Sequence, residues 1–306
     1  MTQSKQIELI QQLEAAQQRI AAMESSKFWK LRNIWVKFKR FLKSESNQLD
    51  EATKVFDYPV ISNLEARDIP KPIQIGTINE QPRNHWIEQQ LRALPAGLRI
   101  LDAGCGEQQH RKFCQHLNYV GQDFDSYHGQ GDLKGLQMGN WDQSNIDIIS
   151  DIVAIPEPDQ SFDVILCSEV FEHLPDPLGA LKEFERLLVS GGKLILTAPF
   201  CSLTHFSPYH FYSGFNRYFY ETNLRKYGLE ILEIKTNGNF FDYIAQELRR
   251  INYVAQRYTN YNFSELDHNT IYESLSLLEL INQEQNNSEE LLCFGYHVLA
   301  EKIINH

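Results

Sequence analysis

The sequence predicts a doubly wound α/β domain with a seven-stranded, mostly parallel sheet, and three observations support this prediction. From residue 98 onward, short apolar runs typical of buried strands alternate with helical segments. The first run ends in a glycine-rich turn, Asp102 to Gly106. Acidic residues stand at or just after the ends of the next strands, where open parallel sheets bind ligands.

The strands and helices are predicted from the apolar runs and from the apolar spacing. Strands are expected at 98–104, 119–124, 146–150, 162–169, 193–199, 228–235 and 292–303. Helices are expected at 82–94 and 177–188. Two more helices, at 240–258 and 267–283, predict a helical insertion (about 240–283) before the last strand.

Residues 1–45 are predicted to be an N-terminal helical extension. Its first part has the spacing of a short coiled coil, carried by Leu9, Leu13, Ala16, Ile20 and Met23. Its second part, 26–43, predicts an amphipathic helix rich in aromatic residues, Lys and Arg. Two interpretations stay open: peripheral contact with an anionic membrane surface, or protein contact, either with the chain's own domain or in a homodimer.

Residues 46–78 show no clear period, contain Pro70 and Pro72, and are interpreted as a linker that wraps the domain. Residues 79–306 then form the predicted catalytic domain. The net charge of -11 argues against a nucleic-acid partner. The five cysteines include no C-x-x-C pair, which favours a reducing, cytoplasmic setting. The N-terminus lacks an apolar signal core, and no apolar run reaches the length of a membrane span.

Two short patterns point to a nucleoside-containing ligand. Gly104 and Gly106 permit a tight turn and a close approach of the backbone to a ligand. Asp123, 21 residues after Asp102, stands where an acid accepts hydrogen bonds from ribose hydroxyls. Alone, these patterns also fit an ordinary strand-to-helix turn or a dinucleotide site. The dinucleotide pattern would continue with a third glycine at position 109, where the chain has Gln109.

Five motifs in order extend this picture: LDAGCG, GQDF, SDIVAIP, SFDVILCSEVFEHLPDP and SGGKLILTAPF. Together, over about residues 80–303, they resemble the class I S-adenosylmethionine-dependent methyltransferases. The resemblance is to the methyltransferase type 11-like, bacterial small-molecule and surface-polysaccharide branch. It implies a Rossmann-like methyltransferase fold, methyltransferase activity and S-adenosylmethionine as cofactor. The sequence departs from the family at Gln108, where a third small residue is frequent.

The resemblance also implies roles for individual residues. The methionine end of the cofactor would be surrounded by Asp102, Gly104, Cys105 and Gly106. Asp123 would hold the ribose and Phe124 would pack on the adenine. Asp151 would accept a hydrogen bond from the adenine amino group, with Ile152 beside the ring. Ser168 and Glu169, at the tip of the fourth strand, would lie near the reactive methyl group.

Candidate catalytic residues are Glu169 and three histidines, His173, His205 and His210, which could act as bases. His205 and His210 belong to an aromatic segment, 197–221, where this family builds substrate walls. Relatives often read H-x-x-P-x-D there, and His210 replaces the aspartate. The alternative interpretation is that these side chains only pack a lid.

The pattern Glu169-x-x-Glu172-His173 also occurs in ubiquinone-pathway and small-RNA methyltransferases, where it holds a divalent metal. Glu172 could equally brace a loop, and we therefore assign no metal ligands from the sequence.

The leading functional hypothesis is O-methylation of a sugar or another small hydroxylated acceptor. The basic helix 26–43 would bring the enzyme to lipid-linked acceptors at the inner membrane face, and aromatic walls suit sugars. Alternatives are N- or O-methylation of a soluble metabolite, or an inactive scaffold with the same fold. The sequence identifies no particular acceptor.

Overall fold

The computed structural model describes residues 73–124, 135–136 and 145–304, and the α/β fold is confirmed there. The strands are β1 (Arg99–Ala103), β2 (Asn118–Asp123), β3 (Ile148–Ile149), β4 (Phe162–Ser168), β5 (Leu188–Pro199), β6 (Leu229–Asn237) and β7 (Gly295–Lys302). They form one sheet in the order β3-β2-β1-β4-β5-β7-β6. All pairs are parallel except those of β7, which runs antiparallel to β5 and β6.

The helices are α1 (Glu80–Arg92), α2 (Pro177–Leu187), α3 (Arg217–Lys226), α4 (Phe240–Tyr258) and α5 (Glu265–Glu284). Local chemistry fixes where they begin. The Asp176 carboxylate accepts a hydrogen bond from the Gly179 N–H, and Pro177 supplies the first position of α2. Ser264 and Asp267 form a capping box at the start of α5.

Both faces of the sheet are covered because successive residues of each central strand point to opposite sides. Leu101, Ile165 and Leu194 belong to the core that includes α2 and α3. Their chain neighbours Ile100, Val164 and Ile195 belong to a second core, in which α1 residues take part. This two-sided burial explains why the strands read as continuous apolar runs.

The strand order changes direction at β1, which lies between β2 and β4. The carboxyl ends of these three strands therefore meet at one edge of the sheet, and Asp102, Asp123 and Ser168 come together there. The edge strand β3 is shorter than predicted, since only two of its residues pair with β2.

The predicted helical insertion is confirmed as α4 and α5 between β6 and β7. The described end of the predicted linker packs on it. Ile75 is buried with Ala245 and Leu275, and its N–H donates to Glu279 over 2.7 Å. The predicted extension 1–45, its helix 26–43 and the linker up to residue 72 lie outside the described residues. Across the described ranges, no helix is both long and apolar enough to cross a bilayer.

Candidate functional site

A cavity of about 1110 Å³ opens at the carboxyl ends of β1, β2 and β4. This volume exceeds the roughly 300–1,000 Å³ typical of a single small-molecule site. Twelve of the thirteen site residues predicted from the sequence line it: Asp102, Gly104, Cys105, Gly106, Asp123, Phe124, Asp151, Ile152, Ser168, Glu169, His173 and His205. The cavity is therefore large enough for a cofactor and an acceptor together.

The glycine turn after β1 has the conformation that its residues favour. Gly104 has a φ of +74°, and an added Cβ would lie 2.6 Å from the Val170 side chain. Gly106, at φ +49°, has open space where a Cβ would stand. Its N–H donates to Asp123 Oδ2 over 2.6 Å. This bond ties the turn to the end of β2.

Asp123 also accepts from the Phe124 N–H, over 2.7 Å at Oδ1. Burial raises the pKa of Asp123 above its ordinary value, and the two backbone hydrogen bonds partly offset this shift. Each carboxylate oxygen has more than one acceptor position. The side chain is thus fixed and still able to bind a pair of hydroxyl groups.

Asp102 lies deeper, with 3% of its surface exposed. Burial raises the pKa of Asp102 to about 7, and the charge of Asp123 adds to the shift. The Tyr119 hydroxyl opposes it by donating to Asp102 Oδ2 over 2.6 Å. The Asp102 carboxyl group therefore titrates near neutral pH.

Gln108, the departure noted in the sequence, is accommodated by a change in the connection. It adopts the left-handed conformation, at φ +57°. Its Nε2 donates to the Asn145 carbonyl and its Oε1 accepts from Arg111. Residues 104–117, all of them described, form turns and one short 3₁₀ segment instead of an α-helix.

The residues predicted to contact the adenine lie just after the ends of β2 and β3. Asp151 follows β3, and its Oδ1 accepts from the Val153 N–H over 3.1 Å. Ile152 is buried. The Phe124 ring meets the Tyr209 ring edge-on, with centroids 5.2 Å apart. These side chains provide a mixed apolar and acidic rim.

At the tip of β4, Glu169 adopts a left-handed conformation, at φ +55°. Its Oε2 accepts a hydrogen bond from Arg83 Nη1 over 2.9 Å. Burial raises the pKa of Glu169, which the Arg83 charge partly offsets. Arg83 is not among the site residues predicted from the sequence. Its signal is a cation on the buried face of α1, three and four residues before the buried Trp86 and Ile87.

Next to Glu169, the carboxylate of Glu172 faces two imidazole rings. Its Oε1 lies 3.6 Å from His173 Nε2 and 3.8 Å from His205 Nε2. The other ring nitrogens are engaged by backbone oxygens, His173 Nδ1 by Tyr209 and His205 Nδ1 by Leu203. Both rings consequently direct Nε2 toward the same carboxylate.

Burial opposes ionisation throughout this cluster. Attraction to His205 and His173 nevertheless leaves the pKa of Glu172 below its ordinary value. The same contact raises the pKa of His205 against the effect of burial. For His173 burial prevails and its pKa is lowered. The arrangement therefore combines an ionised carboxylate with a neutral imidazole at His173.

His210 lies beside this cluster and does not line the cavity. Its ring centroid is 4.8 Å from that of His205, and its Nε2 is 3.2 Å from Ser202 Oγ. Burial lowers its pKa, and the neighbouring His205 and His173 rings disfavour its protonation further. The structure thus places His210 in contact with His205 and outside the cavity wall.

The atoms of Glu172, His173 and His205 also suit a divalent metal. One ligand atom from each residue lies within 4.8 Å of the others. Glu172 Oε2 and His173 Nε2 are buried without a hydrogen-bond partner. Histidine ligands typically hold their other nitrogen on a carbonyl or carboxylate oxygen, as both rings do here. Glu169 engages Arg83 and is outside this set.

Part of the cavity wall comes from α4, through Tyr243, Gln246, Glu247, Arg250 and Tyr253. The sequence predicted this helix but not which of its faces meets the site. The apolar face of α4, with Phe241, Ala245 and Leu248, packs on Ile75 and Leu275, and the cavity wall comes from its more polar face.

The chain resembles known methyltransferases over its central part. A protein-family profile described as "Methyltransferase domain" (Methyltransf_11) matches residues 101–196. A ubiquinone biosynthesis O-methyltransferase of Xanthomonas axonopodis pv. citri is 32% identical over 109 residues, which is 35% of this chain and 45% of the relative. One from Leptothrix cholodnii is 30% identical over 120 residues, 38% and 49% of the two chains. The chain thus spans about half the length of these relatives.

Solved structures of similar fold are more distant in sequence. An S-adenosylmethionine-dependent methyltransferase from Archaeoglobus fulgidus aligns with a TM-score of 0.44 at 17% identity, covering 72% of this chain and 94% of that chain. Phosphoethanolamine N-methyltransferase 2 of Haemonchus contortus, in complex with S-adenosylmethionine, gives 0.40 at 17% identity, covering 73% and 53%.

Proposed function

We propose that this chain, which carries a class I S-adenosylmethionine-dependent methyltransferase domain, transfers a methyl group to a hydroxyl group of a sugar or another small hydroxylated acceptor. One observation carries the proposal. The Glu172–His173–His205 cluster lies in the same cavity as Asp102, Asp123 and Asp151, so groups for proton transfer and groups for a cofactor share one site.

The cofactor side of the cavity suits S-adenosylmethionine from end to end. In this proposal Asp123 binds the ribose hydroxyls, and Asp151 accepts from the adenine amino group beside Ile152 and Phe124. Asp102 faces the methionine ammonium group, near the open turn Gly104–Cys105–Gly106. Arg83 adds a cation for the methionine carboxylate, a contact missing from the sequence-based set. Ser168, whose Oγ lies 3.0 Å from Thr197 Oγ1, borders the transfer position.

Cofactor binding is expected to release a proton from Asp102 below about pH 7. The free carboxyl group is protonated below that pH, whereas a neighbouring ammonium group favours the ionised form. Affinity should therefore rise as the pH increases toward about 7 and then level off. Calorimetric titration at about pH 6 in phosphate and in Bis-Tris should give different heats, because the buffers take up the released proton with different enthalpies.

Asp102→Asn is the matched control for this measurement. It should abolish the part of the buffer dependence that Asp102 causes while keeping the shape of the side chain. A wild-type protein whose heat of binding is the same in both buffers would contradict the assignment.

Bound S-adenosylmethionine supplies an electrophilic methyl group on a sulfonium sulfur. The residues of this chain must then orient the acceptor hydroxyl and receive its proton. His173 is the proposed base: it lines the cavity, its Nδ1 is engaged by the Tyr209 carbonyl, and its buried Nε2, which faces Glu172, has no hydrogen-bond partner. Glu172, held between His173 and His205, would stabilise the imidazolium that forms. Such positioning is worth up to roughly 7–11 kcal/mol of the barrier.

The same three side chains would hold a divalent cation if the enzyme uses one. Such a cation would lower the pKa of the acceptor hydroxyl. The ligand set of one carboxylate and two imidazoles suits Mn²⁺ better than Mg²⁺, which prefers oxygen ligands. Methyl transfer measured with EDTA, and then with added Mn²⁺, separates a metal-dependent enzyme from one that uses His173 as the base.

The experiment that tests the proposal combines binding with transfer. The purified chain is titrated with S-adenosylmethionine and then incubated with the methyl-labelled cofactor and a cell extract divided into saccharide, lipid-saccharide and other fractions. Micromolar binding and label in a saccharide fraction are the expected results. A folded chain without cofactor affinity, or label only in acceptors that have no hydroxyl group, would refute the proposal. Flotation with liposomes, comparing the full chain with one starting at Asp50, tests the proposed membrane contact of residues 26–43.

A further inference from the structure

The cavity extends well past the residues proposed for the cofactor. One face of α4 forms part of its wall. The wall residues Tyr243, Gln246, Glu247, Arg250 and Tyr253 recur at spacings of three and four, so they share one face of the helix. None of these residues is among those proposed for the cofactor, so the face is free to contact the acceptor.

A continuous set of hydrogen bonds holds the centre of this face. Arg250 Nη1 donates to both carboxylate oxygens of Glu247, over 2.7 and 2.9 Å. Gln246 Nε2 donates to Glu247 Oε1 over 3.1 Å. Asn79 Nδ2 in turn donates to Gln246 Oε1 over 3.1 Å. The Glu247–Arg250 pair is consequently fixed before any acceptor binds, which lowers the entropic cost of binding.

The pair also keeps unused hydrogen-bonding capacity. About a quarter of each side chain is exposed, 25% for Glu247 and 26% for Arg250. A guanidinium group has five N–H donors, and both bonds to Glu247 come from Nη1. The carboxylate retains acceptor positions. A donor and an acceptor held side by side match neighbouring hydroxyl groups, each of which both gives and accepts a hydrogen bond.

The charge of the cavity disfavours an anionic acceptor. Among the described residues that line it, the arginine and lysine side chains are Arg83 and Arg250, against eight acidic side chains. Both arginines already face a carboxylate, Glu169 and Glu247 respectively. A phosphate or carboxylate in this cavity would therefore meet net negative charge in a partly buried setting, which is unfavourable.

Aromatic rings stand one turn away from the pair on either side, Tyr243 and Tyr253. The cavity is also lined by Phe206, Tyr209 and Phe211. Rings of this kind bury the apolar C–H faces of a sugar while its hydroxyl groups bind polar side chains.

We propose that Glu247 and Arg250 are specificity-determining residues that bind neighbouring hydroxyl groups of an uncharged saccharide acceptor. This inference rests on the proposed methyl-transfer function. It adds that the acceptor is a neutral polyhydroxylated ring, and it assigns its recognition to the insertion between β6 and β7.

The test measures transfer of labelled methyl groups to methyl glycosides of glucose, mannose, galactose and rhamnose, to hexose 6-phosphates and to catechol. Neutral glycosides should be methylated and hexose phosphates should not. For the best glycoside, Glu247→Gln and Arg250→Lys should raise KM about tenfold or more, through loss of hydrogen bonds to the acceptor. They should leave kcat nearly unchanged, and S-adenosylhomocysteine should bind as to the wild type in calorimetry.

Glu273→Gln, an exposed acid on α5, is the matched control and should change none of these quantities. Thermal melting of each variant checks folding, and Arg250→Lys retains the charge if Glu247→Gln proves unstable. An unchanged KM in both folded variants, a preference for hexose phosphates or catechol, or no labelled glycoside would overturn the inference. If the chain labels extract fractions but no neutral glycoside, the inference fails alone. If it binds no cofactor and labels nothing, the proposed function fails with it.

Discussion

Glu172→Gln is expected to lower the rate of methyl transfer by roughly 10²- to 10⁴-fold, the range typical of losing acid–base assistance. The amide has nearly the same shape, so the change removes charge and little else. Without the carboxylate charge, protonation of His173 during the reaction loses its stabilisation, and any divalent cation loses its one anionic ligand. The measurement is the single-turnover rate with saturating labelled cofactor.

The affinity for S-adenosylmethionine should stay the same in this variant, because Glu172 contacts the histidines and not the proposed cofactor groups. Glu230→Gln, an exposed acid on β6, serves as the control and should retain full activity. Wild-type rates from Glu172→Gln would show that Glu172 only braces the loop, as one interpretation of the sequence allows. Restoration of activity by added Mn²⁺ would indicate a weakened metal site instead.

Asp123→Ala should weaken binding of S-adenosylmethionine by roughly 10²- to 10⁴-fold. Two hydrogen bonds to a charged acceptor contribute about 3–6 kcal/mol together, and each 1.36 kcal/mol is a factor of ten. In the variant, the Gly106 and Phe124 N–H groups lose the hydrogen bonds that they donate to Asp123. The glycine turn is then no longer bonded to the end of β2. Calorimetric titration gives the dissociation constant directly.

Asp123→Asn keeps the shape and one acceptor oxygen, and its affinity should fall between those of the wild type and Asp123→Ala. The control is Asp159→Ala, whose side chain is 74% exposed in an ion pair with Arg186. Surface pairs of this kind contribute about 0–1 kcal/mol, and cofactor affinity should not change. A loss of less than about tenfold for Asp123→Ala would place the ribose contact elsewhere.

The strand positions could be predicted because buried parallel strands are continuous apolar runs, as in Phe162–Ser168. The insertion helices were predictable for a similar reason, since their length and polarity exclude strands. The short edge strand β3 was overestimated. An isolated apolar run such as 146–150 does not reveal how many of its residues will pair with a neighbouring strand. Here β2 pairs with only two of them.

The position of candidate residues in the cavity was predictable where a polar residue stands at the end of a strand, as at Asp102, Asp123 and Ser168. Chain order brings these residues to one edge of the sheet. Arg83 and the Glu247–Arg250 pair were not predictable in this way. Arg83 and Glu247 are 86 and 78 residues from Glu169 in the sequence, and their helices reach the cavity only through tertiary packing. The grouping of Glu172 with His205 likewise depends on how the segment after β5 folds back. The backbone N–H groups of Phe211 and Tyr212, which both bond to the Glu172 carbonyl, help to hold it there.

The two ends of the α4–α5 insertion meet at a single point of the sheet. Asn237 lies opposite Gly295 in the antiparallel pair, and the Phe294 N–H donates to the Asn237 carbonyl over 2.8 Å. A segment anchored this way behaves as a cassette: residues 239–293 can diverge, or be exchanged between homologues, without breaking a strand register. New acceptor preferences could then evolve at this one junction while the cofactor half of the domain stays unchanged, and a chimaera joined at Asn237 and Gly295 would inherit the selectivity of its donor.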